Sequence, residues 1–216
     1  LSACLKGGCL TCLIGRNGLG KTTLLRTLAG FQSALSGEIN LVIGEQSYRL
    51  DVLSRAHLSR LVSVVLTEKI DVTHITVNEM VGMGRMPYTG FWGLQSEADR
   101  LVVSEALHDV GISSLAQRDV STLSDGERQK VMIAKAQAQQ TPVVLLDEPT
   151  AFLDYPSKVN MMKLLAEMAH EQGKIVLLST HDLDIALRHA DQLLTMDEGL
   201  KFMTKEALAD ELDRLK

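Results

Sequence analysis

Aromatic residues are scarce in this 216-residue chain. One Trp, three Tyr and four Phe make up 4% of it, so the core must be mostly aliphatic. Cysteine is rare and odd in number, three in all, which implies no disulfide framework and fits a reducing compartment. Only four prolines occur, and there is no internal repeat, low-complexity tract or obvious flexible linker. No apolar run approaches the ~20 residues of a membrane span, so this chain is not expected to cross a bilayer. No signal peptide is visible. Basic charge is also short: 22 Lys and Arg against 27 Asp and Glu leave a net charge of −5, which argues against bulk binding to nucleic acid or an anionic membrane. The first residue is Leu1 rather than Met, and we expect a trimmed or processed end there.

What remains is ordinary globular material, 45% hydrophobic and 23% charged, of a length that suits one domain or at most two. A chain of this size can bury roughly 70% of its unfolded surface without staples. Short apolar runs alternate with helical patterns. Cys9–Ile14, Leu61–Leu66, Val143–Leu146, Ile175–Leu178 and Gln192–Met196 read as buried strands. Uniformly apolar strands separated by helices predict an α/β fold with a mostly parallel sheet covered on both faces. Lys21–Ala29 reads as a helix closed by Gly30. The stretch from Thr67 to Gln139 differs: it has no strong strand and several helical patterns, one capped by Ser96 and ended by Gly111, another Ala-rich from Val131 to Gln139. We expect it to be a helical insertion into the α/β core.

Three local patterns carry chemistry. Gly15-Arg16-Asn17-Gly18-Leu19-Gly20-Lys21-Thr22 matches G-x-x-x-x-G-K-[ST] and lies between a strand and a helix, where backbone N–H groups and the helix N-terminus can cradle phosphates. In that reading Lys21 reaches the β- and γ-phosphates and the Thr22 hydroxyl ligates Mg²⁺. The apolar run Val143–Leu146 ends in Asp147-Glu148, and strand alternation points these carboxylates in different directions. Asp147 is then expected to support Mg²⁺, and Glu148 to polarise the attacking water. Finally, Ser124 and Glu127 have capping-box spacing ahead of the Ala-rich helix, a helix start that also has the parts for a second anion site.

Leu123-Ser124-Asp125-Gly126-Glu127 resembles the LSGGQ signature of ATP-binding-cassette (ABC) ATPases, in the family's order between phosphate loop and acidic pair. Thr150-Ala151-Phe152-Leu153-Asp154 resembles its D-loop and Ser179-Thr180-His181-Asp182 its H-switch. The resemblance implies a P-loop NTPase core of RecA type over residues 1–66 and 140–216, with an inserted helical subdomain over 67–139. It implies ATP and Mg²⁺ as cofactors and a head-to-tail pair of copies. Nucleotide contacts would come from Gly15, Arg16, Asn17, Gly18, Leu19, Gly20, Lys21, Thr22 and Thr23, and in trans from Ser124 and Gly126. Asp154 would communicate between the two sites. Glu148 and His181 would be catalytic, Thr22 and Asp147 the metal ligands.

The chain departs from that pattern in places. Thr67-Glu68 stands where the family's Q-loop carries glutamine, and Asp125 and Glu127 replace Gly and Gln of the signature. No aromatic residue precedes the phosphate loop to stack on adenine. Cys9 and Cys12 form a C-x-x-C that a strand splits between opposite faces, so they are expected to be structural. Thr76–Tyr88, with its Gly84-Arg85-Met86-Pro87-Tyr88, and the following Gly90–Gly93 resemble the importers of iron-siderophores, haem and cobalamin. Tyr88, Phe91 and Trp92 then either face a permease or fill the helical block. The partners implied are a second copy, multi-span permease subunits and, indirectly, a substrate-binding protein, with no nucleic acid. The location implied is the cytoplasmic face of the inner (plasma) membrane, held peripherally. An exporter subunit or a non-transport ABC ATPase is the alternative.

Overall fold

The computed structural model describes residues 1–16, 18–67, 73–90, 93–197 and 199–208. Its main sheet holds six strands: β1 (Cys9–Ile14), β4 (Val62–Val65), β5 (Val143–Asp147), β6 (Ile175–Thr180), β7 (Gln192–Met196) and β8 (Leu200–Met203). A hairpin of β2 (Asn40–Ile43) and β3 (Gln46–Arg49) stands apart from it. The six strands lie in the order β4-β5-β6-β1-β7-β8. All neighbours are parallel except β7 and β8, so the sheet is mostly parallel with one antiparallel edge.

Alternation along the strands divides the core into two layers. Leu10, Cys12, Val144, Leu146, Val176 and Leu178 face one cluster, which also holds Met161, Met162 and Leu165 of α6 (Tyr155–Gln172). Leu13, Val143, Leu145, Leu177 and Leu194 face the other, with Leu25 of α1 (Lys21–Leu28) and Leu41 of the hairpin. The C-x-x-C is split as alternation requires. Cys12 is buried, its thiol pushed up to about 12 by burial, and all three cysteines are free.

Short helix α2 (Arg55–Leu58) precedes β4, and α3 (Val77–Gly82), α4 (Glu97–Asp109) and α5 (Asp125–Ala138) pack on one another. All three of these longer helices start with reciprocal capping boxes, at Thr76 and Glu79, Ser96 and Asp99, and Ser124 and Glu127. Arg85 is buried at their junction. Its Nε donates to Asp99 Oδ1 at 2.9 Å, and Nη1 donates to the Ala138 carbonyl at 2.8 Å and to Gln140 Oε1 at 2.9 Å. The preceding Gly84 lies so close to α5 that a Cβ would sit 2.3 Å from the Lys135 carbonyl oxygen.

Several elements differ from the sequence expectation. The Ala-rich helix begins at Asp125, a turn and a half before Val131, because the capping box sets its start. The hairpin β2–β3, edge strand β8, α6 and α7 (Leu183–His189) were not expected. The hairpin is mostly exposed: β2 carries the short apolar run Leu41–Ile43, of which only Leu41 is buried, and its partner β3 is polar. Tyr88 stays exposed but is anchored to the helical block: its ring lies 4.1 Å from the Arg85 guanidinium carbon and 5.5 Å from that of Arg60, and its hydroxyl donates to the Gln139 carbonyl at 2.9 Å. Phe91 and Trp92 lie outside the described residues. No helix among the described residues is long and apolar enough to cross a membrane.

Candidate nucleotide site

The three central strands β5, β6 and β1 end in step, with Ile14 opposite Thr180 and Asp147 opposite Ser179. Their carboxyl ends therefore bring three loops to one edge of the sheet, where open α/β folds place ligands. After β1 the chain turns through residues 15–20 into α1. Gly20, the residue before the helix, has φ 98° and offers no side-chain cap, so the first N–H groups of α1 stay available to an anion. Lys21 is buried. Its Nζ donates to the Gly15 carbonyl at 2.6 Å and to the Arg16 carbonyl at 3.2 Å, and no carboxylate pairs with it among the described residues. Arg16, Gly18, Thr22 and Thr23 are exposed, while Asn17 lies outside the described residues.

Strand alternation explains how Thr22 meets Asp147. Asp147 continues the face that carries Val143 and Leu145, and α1 packs on that face of β5. Thr22 Oγ1 donates to Asp147 Oδ2 at 2.8 Å. Ser179, the cross-strand neighbour of Asp147, donates to Oδ1 at 2.7 Å. Both oxygens of a buried carboxylate are thus held by hydroxyls. Thr67 Oγ1 donates to the Asp147 backbone carbonyl at 2.8 Å, tying the end of β4 to the end of β5. Glu68 lies outside the described residues.

Glu148 leaves the strand with φ 50°, a left-handed conformation that is costly for a non-glycine residue and is held here by its N–H bond to Ser179 Oγ at 3.0 Å. The turn sends its side chain toward β6, where His181 Nδ1 lies 2.6 Å from Glu148 Oε2. The Glu148 side chain is 18% exposed and that of His181 62%, so the pair sits at the mouth of the site.

Thr22 and Asp147 supply a hydroxyl and a carboxylate oxygen, the hard donors that suit Mg²⁺, so these residues fit the metal. No cluster of three or more His, Cys, Asp or Glu side chains suited to a metal ion occurs among the described residues.

The remaining expected site residues lie elsewhere in the chain. Ser124 spends its hydroxyl within its own helix start, donating to Glu127 Oε2 at 2.8 Å and accepting from the Glu127 N–H at 3.3 Å. The Ser124 backbone N–H, which donates to Glu127 Oε2 at 2.9 Å, and then the Ser124 hydroxyl hold the Glu127 carboxyl below its usual range. Gly126 sits beside Leu153 of the D-loop segment. Asp125 is exposed and pairs with Arg128 at 3.2 Å. Asp154 caps α6, accepting the Ser157 N–H at 3.1 Å, and its carboxyl is lowered chiefly by Ser157. A cleft of about 60 Å³ runs between the end of β5 and α5, lined by Thr67, Arg128, Gln129, Glu148 and Phe152 among others.

A family model described as ABC transporter matches residues 1–151. The chain belongs to the ABC transporter family. Among ABC relatives, Cobalamin import ATP-binding protein BtuD of Halobacterium salinarum is 38% identical over 197 residues, 91% of this chain and 48% of that protein. The chain thus spans about half the length of that relative. Achromobactin transport ATP-binding protein CbrD of Dickeya dadantii is 38% identical over 198 residues, 92% of this chain and 72% of its own length. An ABC cassette solved as a dimer in a post-hydrolysis state, bound to ADP and Pi, is 26% identical and superimposes with a TM-score of 0.75, over 91% of this chain and 84% of that one. The α/β fold with its mostly parallel sheet is that of ABC cassettes, as the residue patterns led us to expect.

Ser179, which bonds both Asp147 and Glu148, has no task assigned by the sequence patterns. Its signal was its place two residues before His181, on the same strand face as Leu177 and therefore level with Asp147. Lys158 was missed altogether, although one turn of helix separates it from Asp154.

Proposed function

We propose that this chain is the ATP-binding and ATP-hydrolysing subunit of an ABC importer for an iron chelate (siderophore), haem or cobalamin. The observation that carries this reading is the convergence of Lys21, Thr22, Asp147, Glu148 and His181 on the carboxyl ends of three adjacent strands. The transport names of the relatives support the importer class. Permease subunits would be the membrane partners, a substrate-binding protein an indirect one, and the working place the cytoplasmic face of the plasma membrane.

On this reading residues 1–66 and 140–216 form the catalytic core and 67–139 the helical subdomain. Lys21 exchanges its carbonyl partners for the β- and γ-phosphates, where an ammonium is worth more than at Gly15 and Arg16. The N–H groups at the start of α1 take the phosphate oxygens. Thr22 and Asp147 would hold Mg²⁺, which when bound neutralises phosphate charge. Water attacks the γ-phosphorus in line, the bond to the bridging oxygen of ADP breaks, and Glu148 accepts a proton from the water. His181, anchored on Glu148, faces the γ-phosphate and orients the attack. Ser124 and Gly126 of a second copy close over the nucleotide, with Asp154 at the shared boundary.

The test is ATP binding and phosphate release by the purified protein against its Lys21→Ala variant. Losing one charge-assisted contact of about 1.5–3 kcal/mol should weaken ATP binding roughly 10- to 100-fold. Equal affinity in the two proteins would overturn the cradle.

A further inference from the structure

His181 is mostly exposed and, among the described residues, its ring is held by Glu148, so the backbone that carries it must be fixed by other contacts. That backbone lies between the end of β6 and α7, and Asp182 fastens it. The Asp182 N–H donates to Thr180 Oγ1 at 3.0 Å, and Oδ1 accepts the Ile185 N–H at 3.2 Å, capping α7. Oδ2 is taken by Lys158 Nζ at 2.7 Å, in an ion pair whose side chains are only 23% and 22% exposed. Burial alone would raise the Asp182 carboxyl, yet it lies below the usual range because Lys158 and Ile185 donate to it. Lys158 in turn belongs to the first turn of α6. Its N–H donates to the Asp154 carbonyl at 2.9 Å, and the Asp154 side chain caps that same turn.

A continuous set of contacts therefore runs from Asp154 through Lys158 and Asp182 to the peptide of His181, and from its ring to Glu148. We infer that Lys158 is a positioning residue for hydrolysis, a strut that sets the His181–Glu148 pair according to the placement of the Asp154 turn. The inference rests on the ATPase reading above. The pair is mostly shielded from water, and a shift in the first turn of α6 reaches Asp182 through a contact of 2.7 Å. Lys158 touches neither the phosphate loop nor Glu148 in any hydrogen bond of the described residues, so it is not a catalytic residue.

The experiment compares steady-state ATP hydrolysis, ATP affinity and thermal midpoint for wild type, Lys158→Met, Lys158→Arg, Asp182→Asn and the double variant Lys158→Met/Asp182→Asn. Asn keeps the helix cap while removing the charge. The expected result is a kcat about 5- to 20-fold lower in Lys158→Met with KM and ATP affinity within about twofold, recovery in Lys158→Arg, and a double variant no slower than the slower single one. Unchanged kcat in Lys158→Met would overturn the strut. So would a loss of kcat that Lys158→Arg does not recover, or one accompanied by an equal loss of ATP affinity. Absence of ATP binding by the wild type would instead defeat the ATPase reading, and the two failures are separate observations.

Discussion

Glu148 brings three features of the candidate site together in one residue. Its positive φ turns the chain off the sheet, its N–H is held by Ser179 and its carboxylate meets His181. Glu148→Gln keeps the shape and a hydrogen-bonding oxygen for His181 but cannot take a proton. We expect it to bind ATP with near wild-type affinity and to lose at least about 100-fold in turnover, measured by single-turnover phosphate release. Undiminished hydrolysis would remove Glu148 from its role. Thr67, which stands where the family's glutamine belongs, has a task of its own in bonding the Asp147 carbonyl. Thr67→Val should lower stability by about 0.5–1.5 kcal/mol in urea melts, the value of one such bond; no change would mean that water replaces the hydroxyl at no cost. The acidic pair was legible because strand alternation fixes the direction of Asp147. The twist at Glu148 was not, since a left-handed Glu has no signature in its neighbours.

At the scale of elements, the phosphate loop, α1 and the buried strands were readable from uniform apolar runs and from Gly30, whose φ of 72° follows the last turn of α1. Helix α6 was not expected, although its signals stand in the sequence: Asp154 as cap, Pro156 in the first turn, Met161, Leu165, Met168 and Ala169 on one face, and Gly173 at φ 65° to close it. The hairpin β2–β3 had only the short apolar run Leu41–Ile43 on one strand and a polar partner, and just Leu41 reaches the core. The helical block depends on Arg85 and Asp99. The Asp99 carboxyl, bonded by Ser96 and by Arg85, sits at about 2 rather than the ordinary 3.8. Between these values the unfolded chain binds the proton and the folded one does not, so the stability contributed by Asp99 is complete above the unfolded value and disappears as pH falls through about 2. Asp99→Asn should flatten this acid limb of the stability profile, followed by circular dichroism from pH 5 to 2. An unchanged limb would mean that the pair carries no pH-linked stability.

At the scale of the whole molecule, one chain assembles the phosphate loop, the acidic pair and the switch histidine, whereas the signature serine is engaged at the head of α5 on a separate set of contacts. The sheet is stabilised from both sides by aliphatic layers, and Leu146 at its centre is fully buried. Leu146→Ala should cost about 2–5 kcal/mol, and urea unfolding checks it. On the proposed function the nucleotide closes between the phosphate loop of one copy and the Ser124 helix of another. The direct measurement is sedimentation of the Glu148→Gln variant with and without Mg·ATP, alongside Glu148→Gln/Ser124→Arg. We predict a monomer that becomes a dimer holding two nucleotides when ATP is added, and a second variant that binds ATP but stays monomeric. Dimerisation that ignores ATP, or that survives Ser124→Arg unchanged, would contradict the account.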